Sequence, residues 1–286
     1  MTSTRKTLVA AALMALGFAT LYWHVLAKLV SDWYHDDNYS HGFLIVPLAI
    51  YFVWERREKL RKIPAAPSAL GFGVVLGSVA VLIAGILGSE LFLTRISILG
   101  TLVGVTLFLW GWGYLRALAF PLAFLLLMIP IPAIIFNQIA FPLQLLASQF
   151  GESAMGFANV PVLREGNVLI LANTTLEVAE ACSGIRSLVS LLTLAIVLGY
   201  FSDPRGWVRT LVALSSVPVA IVTNGFRVAG TGIAAHKIGA AAAEGFFHEF
   251  SGWLVFVSAF MLMLALQRVI VRVAPAMVDA PAPASV

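Results

Sequence analysis

Apolar residues fill most of this chain in long runs, and polar residues gather in short stretches between them. A bilayer's hydrocarbon core is about 30 Å thick and a helix rises about 1.5 Å per residue, so roughly 20 apolar residues suffice to cross it. Runs at about 8–30, 41–54, 69–88, 91–112, 117–135, 184–201, 207–230 and 251–271 meet that requirement, the second being short unless it begins before His41. The pattern predicts an all-α polytopic membrane protein with about eight transmembrane helices, built as a single multi-span membrane domain over 1–274. Arg5 and Lys6 precede the first run as they would in a secretory signal. That run is too long for one and has no clean small-residue cleavage site, so a retained span is expected. The Ala/Pro-rich residues 275–286 read as a disordered tail.

One long stretch, 136–181, lies between the fifth and sixth runs. Its first part, 136–156, is apolar with insertions at Asn137, Gln138, Gln144 and Gln149, which suits a helix lying in the interface or a re-entrant element. In its second part, Glu165-Gly166-Asn167 separates two runs rich in β-branched residues, as a hairpin turn does. A small extracytoplasmic β-element is therefore expected before the sixth span, ending near Leu176 to Ala179.

Composition excludes the soluble alternatives. Hydrophobic residues make up 60% and charged residues 11% of the chain, against about 25% charged in an average globular domain. The sequence pI of about 9.4 does not signal a nucleic-acid partner, because the basic residues form no stripe and fall between apolar runs. Their placement follows topology. With the N-terminus cytoplasmic, the inner side collects Arg5, Lys6, the cluster from Arg56 to Lys62, Arg116, Arg205, Arg209, Arg268 and Arg272, while most acidic residues fall outside. Both termini are then cytoplasmic and 136–181 is an extracytoplasmic or interfacial insert. A single cysteine, Cys182, excludes an intramolecular disulfide and a Cys-rich metal site. No cofactor or metal is expected: His35, Asp36, Asp37 and His41 lack a diagnostic ligand spacing and read as a solvated loop.

Three residues stand out as chemistry. Arg227 sits near the outer end of the seventh run, where an arginine costs about 2.5–3.5 kcal/mol at a helix centre and so has a partner or a task, unless it snorkels. Asn224 shares its helical face at i,i+3. Cys182 opens the sixth run in Glu180-Ala181-Cys182-Ser183-Gly184-Ile185-Arg186. A buried cysteine is most often a small hydrophobe, but at a helix N-terminus the free N–H groups, the macrodipole and nearby arginines favour thiolate, a nucleophile. His248 precedes the eighth run on the same outer side. Alone it would read as an interfacial histidine; with Cys182 and Arg227 it completes a set at the outer ends of the last three spans, where one site can be assembled.

These segments resemble the exosortase/archaeosortase family of multi-pass membrane cysteine proteases or transpeptidases. Glu180-Ala-Cys182-Ser-Gly-Ile-Arg186-Ser is similar to the family's cysteine motif, Asn224-Gly-Phe-Arg227-Val to its arginine motif, and His248-Glu-Phe-Ser-Gly252-Trp to its histidine motif. Tyr39-Ser-His41-Gly-Phe-Leu-Ile-Val-Pro47 and Arg164-Glu-Gly-Asn167 resemble two further family segments, so the likeness runs from about 39 to 253. The resemblance implies a catalytic triad of Cys182, Arg227 and His248, with Arg186, Asn224, Ser183 and Glu180 in support. His248, where archaeal relatives use arginine, points to the bacterial branch. The implied partners are exported proteins with a C-terminal Pro-Glu-Pro motif, a membrane helix and a basic tail, together with the lipid bilayer and proteins of exopolysaccharide systems. The implied location is the bacterial inner membrane with the site facing the periplasm. The chain ends without the soluble domain fused to some members, so such a partner function is expected from another chain.

A competing class is a non-enzymatic component of exopolysaccharide export or polymerisation, with Arg227 contacting an anionic sugar. It requires a central polar pathway, and Arg227, Arg186 and Arg95 all fall toward outer ends instead. The charge asymmetry generates a direct test: alkaline-phosphatase fusions should be highly active at Ala158 and inactive at Ser202. High activity at Ser202 would overturn the orientation.

Overall fold

The computed structural model describes residues 3–172, 174–178, 184–239 and 245–274. The expected 275–286 tail lies outside them. The described residues are mainly helical with one small sheet, and the chain divides into two compact units, Met1–Ala133 and Ile134–Val286.

The first unit holds α1 (Ser3–His35), α2 (Gly42–Glu55), the short basic α3 (Arg57–Lys62), α4 (Leu70–Leu87), α5 (Leu91–Trp110) and α6 (Trp112–Phe124), the last continued by a 3₁₀ turn, Leu125–Met128. Small residues let α4 and α5 meet closely: Gly71 lies on the backbone around Gly104 and Phe108, and Gly85 on Thr94. Tyr22 of α1 bonds the α5 backbone at Ser97 (3.0 Å) and the Thr101 hydroxyl (2.7 Å). Near the same end of α1, Asp32 pairs with Lys28 at 2.8 Å and with the almost fully buried Arg95 of α5. Sixty-odd positions separate those partners in sequence, so no local pattern announces the pair.

The expected run 117–135 does not form one helix. Pro130 and Pro132 carry no N–H, so the helix cannot continue through them, and the carbonyls of its last turn, Leu127 and Met128 among them, are left without helical donors. The α1–α2 connection replaces them. Trp33 Nε1 donates to Met128 O at 2.9 Å, His41 Nε2 bonds Leu127 O at 3.1 Å, and Tyr39 Oη reaches Ile131 O at 3.5 Å.

The second unit begins with α7 (Ala133–Phe157). A Schellman motif closes this helix: Asn159 takes φ +57°, Val160 N–H bonds Met155 O at 3.0 Å, and Asn159 N–H bonds Gly156 O at 3.0 Å. Val160 and Met155 then meet in a core shared with the sheet. That sheet runs β1 (Val162–Glu165), β2 (Val168–Leu171), β3 (Thr175–Glu177), antiparallel in sequence order. Glu165 pairs with Val168 across a two-residue turn in which Gly166 takes φ +65°, the left-handed value that a tight hairpin asks of its first central residue. The hairpin expected around Glu165-Gly166-Asn167 is thus present.

Among the described residues the unit is continued by α8 (Gly184–Ser202), α9 (Gly206–Ile238) and α10 (Gly245–Val273). Leu191 and Ala195 of α8, Val212, Val219 and Ala220 of α9, and Ala259 and Met263 of α10 form their common core. Ser215, Ser216 and Thr223 return their hydroxyls to carbonyls of their own helix, so these polar groups sit in α9 without demanding water. At the α8–α9 turn, Arg205 grips both oxygens of Asp203 (2.8 and 2.6 Å), which holds that carboxyl down at about 2.

Among the described residues, six helices are long and apolar enough to cross a membrane: Ala12–His35 within α1, then α4, α5, α7, α9, and Gly252–Val273 within α10. Three shorter apolar helices, Gly42–Glu55, Trp112–Met128 and Leu188–Ser202, add to them. The chain is therefore a multi-pass helical membrane protein with a small sheet. The division differs from the eight expected runs chiefly at 136–156, which is the body of a continuous 25-residue helix. Six long and three shorter helices do not establish a count of eight.

The Asp32–Arg95 pair yields a stability prediction. Asp32→Ala should destabilise the protein by an amount near the lower end of about 3–5 kcal/mol, because it leaves a buried guanidinium uncompensated while part of the Asp32 site still meets solvent. Asp32→Leu combined with Arg95→Met should recover most of the loss. Thermal melting of the detergent-purified proteins checks both.

Candidate active site

Arg227 is carried by the C-terminal half of α9, and both it and Asn224, one turn earlier, are more than nine-tenths buried. Burial of a guanidinium follows from how closely the neighbouring elements approach. Val228 meets Gly151 of α7, Phe150 lies on Gly225 and stacks edge-on against Phe226 with ring centroids 4.9 Å apart, and Met155 lies on Gly232. Glycines at 151, 225 and 232 thus let α7 and α9 close around the arginine turn.

On its other side the guanidinium rests on α10. A Cβ placed on Gly252 would stand 3.2 Å from Arg227 Nη2 and 3.5 Å from Cζ, so the head group occupies the bare backbone face that only a glycine leaves. Gly252 lies four residues after His248, hence on the same face of α10 and one turn further along it. The structure therefore brings together the arginine segment on α9 and the face of α10 that carries the histidine segment.

The other sequence candidates are distributed as follows. Arg186 and His248 stand in the first turns of α8 and α10. Cys182, Ser183 and Glu180 lie outside the described residues, between Val178, which follows β3, and Gly184, which opens α8. Tyr39 and His41 belong to the first unit, where they bond the carbonyls freed before Pro132. Asp36 caps its own turn, accepting from Asn38 N at 2.9 Å and Asn38 Nδ2 at 2.8 Å.

Sequence reasoning missed two contributors. Gly252 was read only as part of a motif, since its role depends on an arginine from another helix. Gln144, Ser148 and Glu152 were not seen as a group, although their i, i+4, i+8 spacing marks one stripe of α7 and was available as a signal. That stripe meets the β1–β2 turn: Glu152 pairs with Arg164 at 2.6 Å, Ser148 Oγ reaches Gly166 O at 2.9 Å, and Asn167 Nδ2 reaches Gln144 Oε1 at 3.4 Å.

A polytopic helical protein with a buried arginine set against a glycine on the next helix, beside a small sheet, is the class that the fold and site define. The family described as transmembrane exosortase (Exosortase_EpsH) matches residues 33–265. The chain belongs to this exosortase family. Comparison with curated proteins and with solved structures gives no match.

The Arg227–Gly252 contact makes a graded prediction. Gly252→Ala asks the guanidinium to move by only a few tenths of an ångström and should change stability by less than about 1 kcal/mol. Gly252→Leu overfills the same space and should cost about 1–3 kcal/mol or more. Melting curves of the two variants would separate these outcomes, and equal melting would remove the contact from the account.

Proposed function

We propose that the protein is a membrane-embedded cysteine protease or transpeptidase that cleaves the C-terminal Pro-Glu-Pro-type sorting signal of exported proteins at the outer face of the bacterial inner membrane. The observation that carries this reading is the buried Arg227 guanidinium seated on Gly252, one turn from His248, in a chain of the exosortase family whose sole cysteine directly precedes α8.

In this reading Cys182, Arg227 and His248 divide the work. Cys182 thiolate attacks the carbonyl carbon of the scissile peptide, forming a carbon–sulfur bond while the carbonyl electron pair moves to oxygen. Arg227 stabilises that oxyanion, and a planar donor held out of water is worth more there than in solution. His248 takes the thiol proton beforehand and returns it to the departing amine as the carbon–nitrogen bond breaks. The thioester then passes to water or to an amine acceptor. Arg186, in the first turn of α8, and Asn224, Ser183 and Glu180 are assigned supporting roles. The distribution of basic residues supports a reading with both termini in the cytoplasm, in which the three residues stand at the periplasmic boundary.

Two variants test the assignment in cells co-expressing a tagged substrate with the sorting tail. Cys182→Ala should leave the substrate uncleaved at normal enzyme levels, and normal processing by it would sink the enzyme assignment. Arg227→Lys keeps the charge but not the planar fork and should lower processing by about 10²-fold; full activity would reduce Arg227 to a packing residue.

A further inference from the structure

The polar stripe of α7 and the turn it holds suggest a function for a segment that the triad leaves unused. Gly166 O receives Ser148 Oγ at 2.9 Å and Arg164 Nη1 at 3.2 Å, and Arg164 Nε is itself fixed by Glu152 at 2.6 Å. Ser148 is fully buried and shares its proton between Gly166 O and the carbonyl of Leu145 in its own helix, 2.8 Å away. The next residue, Asn167, has its side chain directed to Gln144 and its main-chain carbonyl to Val178 N–H, at 2.9 Å.

This last bond extends the β2–β3 ladder one rung past the Val168–Glu177 pair. Val178 is fully buried and stands four residues before Cys182. Four residues reach at most about 14 Å even when fully extended, so whatever fixes Val178 bounds where the thiol can be. The apolar core of Met155, Leu169, Leu171, Leu176 and Val178 already holds the sheet to the helices. The polar contacts add something that core does not: they fix the turn's position along α7.

We propose that the Glu165-Gly166-Asn167 turn, latched to Gln144, Ser148 and Glu152, is the device that positions the nucleophile, with Ser148 and Asn167 as positioning residues. The proposal rests on the reading of Cys182 as nucleophile. The latch fixes Val178, four residues before Cys182, and so limits how far the thiol can stray. Loosening the latch lets the thiol drift without removing any group that touches substrate.

Because Cys182 is the only cysteine, iodoacetamide reports on it alone, independently of any substrate. The full-length protein in lipid nanodiscs is alkylated across pH 5–9 as wild type, Ser148→Ala, Ser148→Thr and Asn167→Ala, and each variant is assayed for cleavage of the tagged substrate. Wild type should show an alkylation midpoint below the free-thiol value of about 8.5. Ser148→Ala should move the midpoint up by about one pH unit and lower kcat about tenfold with KM unchanged, the loss expected from sub-ångström misplacement. Ser148→Thr, which keeps the hydroxyl, should restore both. Asn167→Ala removes only a half-exposed side chain and should give a smaller shift in the same direction, about threefold in kcat; it carries the test if Ser148→Ala does not fold. Wild-type midpoints and kcat in Ser148→Ala or Asn167→Ala would overturn the latch. A Cys182→Ala enzyme that still cleaves would overturn the nucleophile reading instead, so the two failures are distinguishable.

Discussion

A bilayer supplies no water to a stranded carbonyl or a guanidinium, and the polar features of this chain follow from that constraint. Where Pro130 and Pro132 end a helix, Trp33 and His41 take over carbonyls of its last turn, and Tyr39 reaches the carbonyl of Ile131 just beyond. Where Arg95 is buried, Asp32 meets it. Where Arg227 is buried, α7 and α10 close on it through glycines, and its head group lies on Gly252. Polar residues that look isolated along the sequence are therefore contacts between elements in space.

That constraint also accounts for the local architecture around the arginine. A guanidinium packed against backbone has few alternative positions, because lifting it off Gly252 would take it from fitted contacts into surroundings that solvate it poorly. Rigidity of this kind suits the oxyanion-stabilising role proposed for Arg227, since electrostatic stabilisation is strongest when no reorganisation accompanies the reaction. The Schellman closure of α7, the tight turn at Gly166 and the bonded ladder to Val178 bring comparable fixity to the segment that leads toward Cys182.

Much of this was legible in the sequence, for reasons that can be stated. Runs such as 69–88 and 91–112 became helices over nearly the expected residues, because apolar length alone commits a segment to the membrane. The hairpin at 165–167 was legible because Gly166 supplies the positive φ between β-branched strands. The three motifs pointed to Cys182, Arg227 and His248 through their composition and their common placement at span ends; of these the structure sets Arg227 against α10, while Cys182 lies outside the described residues. What was not legible depends on partners far along the chain. The 136–156 stretch read as an interfacial helix or a re-entrant element because residues such as Gln144 and Gln149 punctuate its apolar run; Gln144 instead faces a turn more than twenty residues away. Gly252 could not be recognised as the seat of an arginine carried on another helix, and Arg95 could not be paired with Asp32 by any periodicity.

The central claim is that Cys182 becomes covalently joined to the substrate's new C-terminus. Mass spectrometry of the Cys182 peptide, from enzyme quenched in acid during turnover of a tagged substrate, tests it most directly. The account predicts an increment equal to the substrate fragment upstream of the cleaved bond, released by hydroxylamine as a thioester is. Substrate cleaved at the wild-type rate while the Cys182 peptide stays unmodified at every time point would contradict it.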